Sequence, residues 1–353
     1  MTLTDSQRQS LSRLPALLLS WYGRAGRVLP WRSDPAPYRV WISEIMLQQT
    51  RVEAALPYFE RFLSALPDVR ALAVVPEDEL MKLWEGLGYY SRARNLQKAA
   101  KLIVSEHGGR IPASYEALLS LPGIGEYTAG AVASIAFGIP VPAVDGNVLR
   151  VLSRVLSSDE DVTLPKTKPA FASLLGGVLP PDRPGDFNQA LMDVGATVCL
   201  PNGAPRCLEC PAREICLGFQ DGSAPVLPVK SPKKPRRVEE KTVFVLVSPA
   251  GLALRRRPEK GLPAGLWELP HSDGALSEPE AAAVLAGWGI PAPRLVPLPA
   301  AKHIFTHVEW RMAGFRADCD PVPLPEGWAW ASREARAAGY AVPNAFSAYL
   351  PEK

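Results

Sequence analysis

The stretch from Leu121 to Asp145 constrains this chain more than any other. It begins Leu121-Pro122-Gly123-Ile124-Gly125-Glu126-Tyr127-Thr128-Ala129. Pro122 and Gly123 stop a preceding helix, and Gly125 lets the backbone turn tightly before a new helix starts. Two glycines one residue apart expose backbone N–H groups at the positive end of that helix, an arrangement that suits a phosphate oxygen. The helix itself is rich in Ala, Gly and Ser from Ala129 to Ala136, so another element can pack closely on it. It ends near Gly138 and Pro140, and the chain then delivers one carboxylate, Asp145, followed by Gly146 and Asn147. An ordinary helical hairpin with Asp145 as an N-cap fits these residues equally well.

With 353 residues the chain has room for two domains, each with a core of its own. Its 47% apolar and 21% charged residues are ordinary for a globular protein. No apolar run reaches the length of a membrane span, and Met1 to Ser10 is polar without a signal-peptide pattern. A cytoplasmic protein with no membrane partner is therefore expected. The net charge of +3 lends only weak support to a polyanionic partner. Cys199, Cys207, Cys210 and Cys216 cluster, while Cys319 stands alone and is read as having no role. In an intracellular chain such a cluster favours a metal site over disulfides. A single Cys-x-x-Cys argues against a two-knuckle zinc site, and all-thiol ligation also suits a [4Fe–4S] cluster.

Apolar periodicity predicts helices over Leu11–Tyr22, Tyr38–Thr50, Val52–Leu66, Pro76–Leu83 and Ser91–Glu106. Glu44 is the only acid in the Tyr38–Thr50 run, between Ile42 and Ile45. Apolar surroundings would raise its pKa toward neutrality, whereas an exposed helix face would leave it ordinary. Trp84 to Asn95 holds Gly86, Leu87, Gly88, Tyr89 and Tyr90 between helices. That loop is either a packed turn, which fits Leu87 and Tyr90, or an aromatic wedge of the kind that enters a base stack. Past Asp145 an apolar face of Val148, Leu149, Val151, Leu152 and Val155 predicts another helix. A further one covers Phe187–Val198, with Gln189 and Asp193 as its polar members. Gly222–Lys241 is rich in Pro and in Lys230, Lys233, Lys234, Arg236 and Arg237, a semi-rigid linker able to make salt-sensitive phosphate contacts. From Thr242 the pattern turns to β: a strand over Val243–Val247, a turn at Pro249-Ala250-Gly251, and a return strand over Leu252–Arg257. A short helix over Glu280–Ala286 and a strand over Lys302–Arg316 follow.

The Leu121–Asp145 stretch resembles the helix-hairpin-helix of base-excision DNA glycosylases, the endonuclease III superfamily. The lyase-competent members carry Lys two residues after the second hairpin Gly, where this chain has Tyr127. Trp31-Arg32 and the run from Ser43-Glu44 through Gln48-Gln49-Thr50 to Val52 extend the resemblance to the MutY family. The resemblance implies a two-domain protein. Residues 1–221 would form an all-α glycosylase domain with a cysteine loop at 199–216, 222–241 a linker, and 242–353 an α+β Nudix-like domain. It implies Glu44 as general acid and base, and Asp145 as the carboxylate that stabilises or traps the sugar cation. Tyr127 and Asn147 would orient them. Gly123 and Gly125 would grip the DNA backbone. Trp31, Arg32 and Gln189 would surround the flipped adenine, and Gln49, Leu87 and Tyr89 would contact the opened stack.

The four cysteines would hold a [4Fe–4S] cluster, although the seven residues between Cys199 and Cys207 are one more than in the family. That cluster would place Arg206 and Arg213 near phosphates. In the second domain the family's His-x-Phe-Ser-His lesion reader appears as His303-Ile304-Phe305-Thr306-His307, with Thr for Ser. The acidic metal-binding helix of Nudix hydrolases is missing, so no nucleotide pyrophosphatase activity is expected. The implied function is monofunctional removal of adenine opposite 8-oxoguanine, or guanine, from double-stranded DNA by a monomer, nucleoid-associated if the source is bacterial. An endonuclease III-like glycosylase and lyase for oxidised pyrimidines, or a non-catalytic lesion-binding protein, are the rival readings. Tyr127 speaks against the first, and the pair Glu44 and Asp145 against the second.

Overall fold

The first helix, Asp5–Ala25, starts at a capping box in which Thr4 and Gln7 satisfy each other's backbone N–H groups. Its buried Leu11, Leu14 and Leu18 join Val151, Leu152, Phe171, Phe187 and Leu191 in one apolar core. The computed structural model describes residues 2–201, 204–232, 235–258, 265–291 and 294–350. Met1–Ala73 with Asn95–Pro232 makes a helical unit, and Val74–Arg94 with Lys233–Lys353 makes a second unit around a sheet. Among the described residues no helix is long and apolar enough to cross a membrane.

The helical unit is arranged around the hairpin. Ser114 caps the short helix Tyr115–Leu119, and the chain turns at Gly123, whose φ of +77° is one that L side chains rarely adopt. A Cβ there would also meet the Asn95 Cβ at 2.6 Å. Gly125 then caps the hairpin helix Glu126–Phe137, which ends at a left-handed Gly138. The small residues of this helix admit close neighbours. A Cβ on Gly130 would stand 2.4 Å from the Pro142 carbonyl oxygen, so the segment leading to Asp145 lies directly on the helix backbone. Buried Asn188 fixes the same segment: its Oδ1 accepts from Ala143 N at 3.1 Å and its Nδ2 donates to Val141 O at 2.9 Å. Asp145 in turn caps the helix Gly146–Val155.

Several helix boundaries differ from the sequence expectation; the helix predicted over Leu11–Tyr22, for one, spans Asp5–Ala25. The run predicted over Tyr38–Thr50 is helical only over Pro37–Leu47, because Gln49 adopts φ 59° and breaks it. The helix predicted from Phe187 starts at Pro184, a residue suited to a first helical position, and ends at Thr197.

The sheet unit has strands β1 (Arg237–Ser248), β2 (Gly251–Arg256), β3 (Trp267–Glu268), β4 (His271–Asp273), β5 (Val296–Ile304), β6 (Val308–Asp318) and β7 (Trp328–Ala331). The order is β3-β2-β1-β6-β5, with β4 paired to β1 and β7 to β2. Central β1 runs parallel to β6 and is apolar on both faces. Val243 and Val245 join Trp310, Met312 and Phe346 in one core, and Phe244 and Leu246 join Leu285 and Phe315 in the other. The Glu278–Gly287 helix, opened by a Ser277/Glu280 capping box, supplies buried Ala281 and Leu285.

The single strand predicted over Lys302–Arg316 is a hairpin of β5 and β6, turning at residues 305–307, where no glycine or proline marks the turn. β1 starts at Arg237, inside the basic stretch read as linker. Earlier in that stretch Leu227 is buried, and its carbonyl accepts from Arg154 Nε at 2.9 Å. Lys233 and Lys234 lie outside the described residues.

Replacing Gly130 by Ala should lower the thermal midpoint of the helical unit by an overpacking penalty of about 1–3 kcal/mol, measured by calorimetry. An unchanged midpoint would mean that the Pro142 segment can move away without cost.

Candidate active site

Glu44 lies on the Pro37–Leu47 helix, where Val40, Trp41, Ile42, Ile45 and Met46 are also buried. Its side chain is 5% exposed. Tyr127, in the first turn of the hairpin helix, donates its hydroxyl to Glu44 Oε2 at 2.6 Å. Burial raises the Glu44 pKa to about 7, the Asp145 charge adds to the rise, and the Tyr127 hydrogen bond and Arg32 oppose it. The Tyr127 hydroxyl is pushed well above its ordinary value by burial and by the Glu44 charge, so it acts as a donor.

Asp145 occupies the N-cap of the Gly146–Val155 helix. Its Oδ1 accepts from Val148 N at 2.8 Å, and its Oδ2 accepts from Asn147 Nδ2 at 2.7 Å. The side chain therefore caps a helix and also lines a cleft.

That cleft holds about 1050 Å³, at the upper end of ligand-pocket sizes and large enough for a nucleotide. Trp31, Arg32, Glu44, Gln49, Gly125, Tyr127, Asp145, Asn147 and Gln189 line it, together with Lys168. Trp31 is buried with its ring edge-on to Phe59 at 5.0 Å. Arg32 is anchored by fully buried Asp193, which takes Arg32 Nη1 at 2.7 Å and Arg27 Nη2 at 2.6 Å. Ion pairing with both arginines holds the Asp193 carboxyl below its usual range against the cost of burial.

Sequence reasoning missed Arg27, Asn188 and the role of Asp193. A lone acid in the apolar Phe187–Val198 run was the available signal. It also missed a polar line along the helix that follows Asp145. Arg150 Nη2 donates to Asn147 Oδ1 at 2.9 Å and to Gly195 O at 2.7 Å, and Arg150 Nε donates to Cys199 O at 2.8 Å.

One turn further on, buried Arg154 sends Nη1 to Cys199 Sγ at 3.2 Å. Cys199, Cys207, Cys210 and Cys216 line one cavity, with Arg154, Arg206, Arg213 and the apolar Val151, Val155, Val194, Val198 and Phe219. Among the described residues no group of three or more His, Cys, Asp or Glu converges as a site for a metal ion. The extra residue of the first cysteine gap falls in 200–206, of which Asn202 and Gly203 lie outside the described residues.

In the sheet unit Leu87 and Tyr90 are buried, while Tyr89 is 48% exposed at φ 46°. The β5–β6 turn exposes Thr306 and His307. Phe305 packs edge-on against Trp310 at 5.0 Å and against His303 at 4.6 Å. Partial burial lowers the His303 pKa.

The hairpin, the carboxyl pair and the cleft define a helix-hairpin-helix DNA glycosylase, here joined to a Nudix-like sheet. Residues 42–176 match the HhH-GPD superfamily of base excision DNA repair proteins, and residues 242–352 match the NUDIX domain. The chain is 37% identical to the adenine DNA glycosylase of Mus musculus, over 90% of this chain and 73% of that relative. It is 36% identical to the adenine DNA glycosylase of Homo sapiens, over 90% of this chain and 70% of the relative. A solved thermostable thymine-DNA glycosylase has a TM-score of 0.56 and 28% identity, covering 62% of this chain and 100% of that one. The chain belongs to the adenine DNA glycosylase family, the MutY family. It is a DNA-binding enzyme of base excision repair that hydrolyses N-glycosyl bonds.

Because the folded pKa of Glu44 lies above its unfolded value, its contribution to stability is fully present below the ordinary carboxyl range. It is lost as pH rises through about 7. Glu44→Gln should therefore stabilise the helical unit above pH 7, by up to ~3 kcal/mol, and make little difference near pH 4. Calorimetry at the two pH values checks this; equal effects at both would mean that the carboxyl is not perturbed.

Proposed function

We propose that this enzyme is a monofunctional glycosylase, acting as a monomer, that releases adenine opposite 8-oxoguanine, and less efficiently opposite guanine, from double-stranded DNA. The observation that carries the reading is the Glu44 carboxyl, buried with a pKa of about 7 and hydrogen-bonded to a tyrosine rather than placed beside a lysine. Residues 1–221 are assigned to the glycosylase domain, 222–241 to the linker and 242–353 to lesion recognition.

A target base inside a duplex must first be flipped out, and the Gly123 and Gly125 backbone would hold the phosphates while Gln49, Leu87 and Tyr89 occupy the opened stack. Adenine, between Trp31, Arg32 and Gln189, leaves poorly until its ring is protonated. Glu44 donates that proton, and the bonding pair of the broken C1′–N bond departs with the base. Positive charge then develops on the sugar. The Asp145 carboxylate, aimed by the Val148 N–H and Asn147, stabilises it or bonds C1′. Water adds at C1′ and gives its proton to Glu44, which ends the cycle as it began. The Phe305–His307 turn, with His303 behind it, reads the base opposite adenine. An acceptor at Thr306 suits the N7–H that distinguishes 8-oxoguanine from guanine.

Four cysteine thiols around one cavity with an apolar wall and a facing Arg154 fit a [4Fe–4S] cluster by donor type. Cys199, Cys207, Cys210 and Cys216 would hold it, and it would supply structural cross-linking of the loop that carries Arg206 and Arg213. Purified anaerobically, the protein should be brown, with about four iron per chain. Stoichiometric zinc without iron would replace this assignment.

The decisive assay is single-turnover excision on a duplex with adenine opposite 8-oxoguanine. Glu44→Gln and Asp145→Asn should each lose at least about a hundredfold in rate while still binding DNA. The strand should break only after alkali. Since Lys168 also lines the cleft, borohydride is included: efficient trapping and nicking by the parent protein would favour the lyase reading instead.

A further inference from the structure

We propose that Tyr89 makes Thr306 an acceptor-only reader by taking the Thr306 hydroxyl hydrogen onto its own phenol oxygen. The inference rests on the reading that the Phe305–His307 turn contacts the base opposite adenine, and it addresses a difficulty in that reading. A threonine hydroxyl carries one hydrogen and two lone pairs. Left to rotate, it accepts a hydrogen bond from the N7–H of 8-oxoguanine equally well as it donates one to the bare N7 of guanine. A swivelling hydroxyl serves both bases and selects neither.

The structure supplies what would stop the swivel. Tyr89 Oη and Thr306 Oγ1 lie 3.1 Å apart, a hydrogen bond in which either hydroxyl can donate, joining segments 217 residues apart in the chain; in the proposed arrangement Thr306 is the donor. With the Thr306 hydrogen committed to Tyr89, only lone pairs face the base. They accept from an N7–H and oppose the lone pair of a bare N7.

Both partners are held from behind. Tyr89 sits at φ 46°, a conformation that a bulky residue keeps only when its surroundings impose it. Arg92 imposes it. The Arg92 guanidinium lies 5.6 Å from the Tyr89 ring centroid, and Nη2 donates to Leu87 O at 3.0 Å and Gly88 O at 3.1 Å.

The turn carrying Thr306 is pinned on either side. Phe305 N donates to Val308 O at 2.8 Å, Arg237 N donates to His307 O at 3.1 Å, and Arg236 Nε donates to Phe305 O at 3.2 Å. The Phe305 ring is wedged between His303 and Trp310. The β-branch of threonine narrows χ1 further than serine would, so the hydroxyl stays within reach of Tyr89. Tyr89 is thus a positioning residue for discrimination, in addition to any contact its ring makes with the stack.

Tyr89→Phe keeps the ring and removes only the oxygen that holds the hydrogen. Single-turnover excision and binding are measured on two duplexes, adenine opposite 8-oxoguanine and adenine opposite guanine, for the full-length parent, Tyr89→Phe, Thr306→Ala, Thr306→Ser and the double variant Tyr89→Phe/Thr306→Ala. Tyr89→Phe should lower the preference for 8-oxoguanine by about three- to tenfold, and by a gain on the guanine duplex. Loss of packing in the loop cannot produce that gain. The double variant should match Thr306→Ala, because Tyr89 has nothing left to orient, and Thr306→Ser should stay close to the parent.

Unchanged preference in Tyr89→Phe, alongside a reduced one in Thr306→Ala, overturns this inference and leaves the lesion-reading assignment standing. A preference lost only through weaker action on the 8-oxoguanine duplex also overturns it, since Tyr89 would then act by stacking. No preference in the parent overturns the lesion-reading assignment and this inference together.

Discussion

A carboxyl group kept out of water at the wall of a cleft is the feature on which the rest of the helical unit depends. Glu44 sits beside its own helix's buried apolar residues and accepts from the Tyr127 hydroxyl. Burial makes its ionisation unfavourable even with Arg32 nearby, so the surrounding packing must hold the site in shape. The hairpin helix does so by its lack of side chains. Because Gly130 lies against the Pro142 carbonyl, the segment toward Asp145 comes close enough for two carboxyl groups of different environment to share a cleft. One is buried beside a phenol; the other accepts from a helix N-terminus and an amide. In the proposed mechanism these different environments separate a proton donor from a stabiliser of positive charge.

The same helix that Asp145 caps reaches the cysteine cavity through Val151, Arg154 and Val155. Asn147, Arg150 and the carbonyl of Cys199 form a continuous hydrogen-bonded line, and Arg154 meets the Cys199 sulfur. The guanidinium groups are buried with carbonyl and sulfur partners. Moving the cysteine loop would leave their donors unpaired, which is costly inside a protein. The position of the Asp145 side chain is therefore mechanically tied to the loop that would carry the cluster. The sheet unit follows a similar rule on a smaller scale. Phe305 is packed between rings and its carbonyl is held by Arg236, so a short turn keeps a fixed shape at an exposed position.

Much of this was legible in the chain. The paired glycines, the small-residue helix and the lone acids Glu44 and Asp145 marked the hairpin and the carboxyl pair. Their local pattern is dictated by backbone conformation and by the cost of placing an acid among apolar residues. The four cysteines, and the change to β pattern at Thr242, were equally local signals. Helix ends were less legible. Gln49 stops its helix through a left-handed conformation that no glycine announces, and the β5–β6 turn lacks a glycine or proline to mark it.

The partnerships of charged side chains were decided by tertiary structure alone. Asp193 receives Arg27 and Arg32 from 166 and 161 residues away, Arg150 reaches Cys199 across 49, and Tyr89 meets Thr306 across 217. Nothing in a local pattern encodes which arginine will satisfy a buried acid or which hydroxyl will face another. Those choices are made by how backbones pack, since a polar group is buried only where packing brings it a partner. The sequence by itself determined the hairpin, the two acids, the thiol set and the two folds. Only the packed chain decided that Glu44 would lose its water, and that a tyrosine from a loop between helices would stand against a threonine on a sheet hairpin.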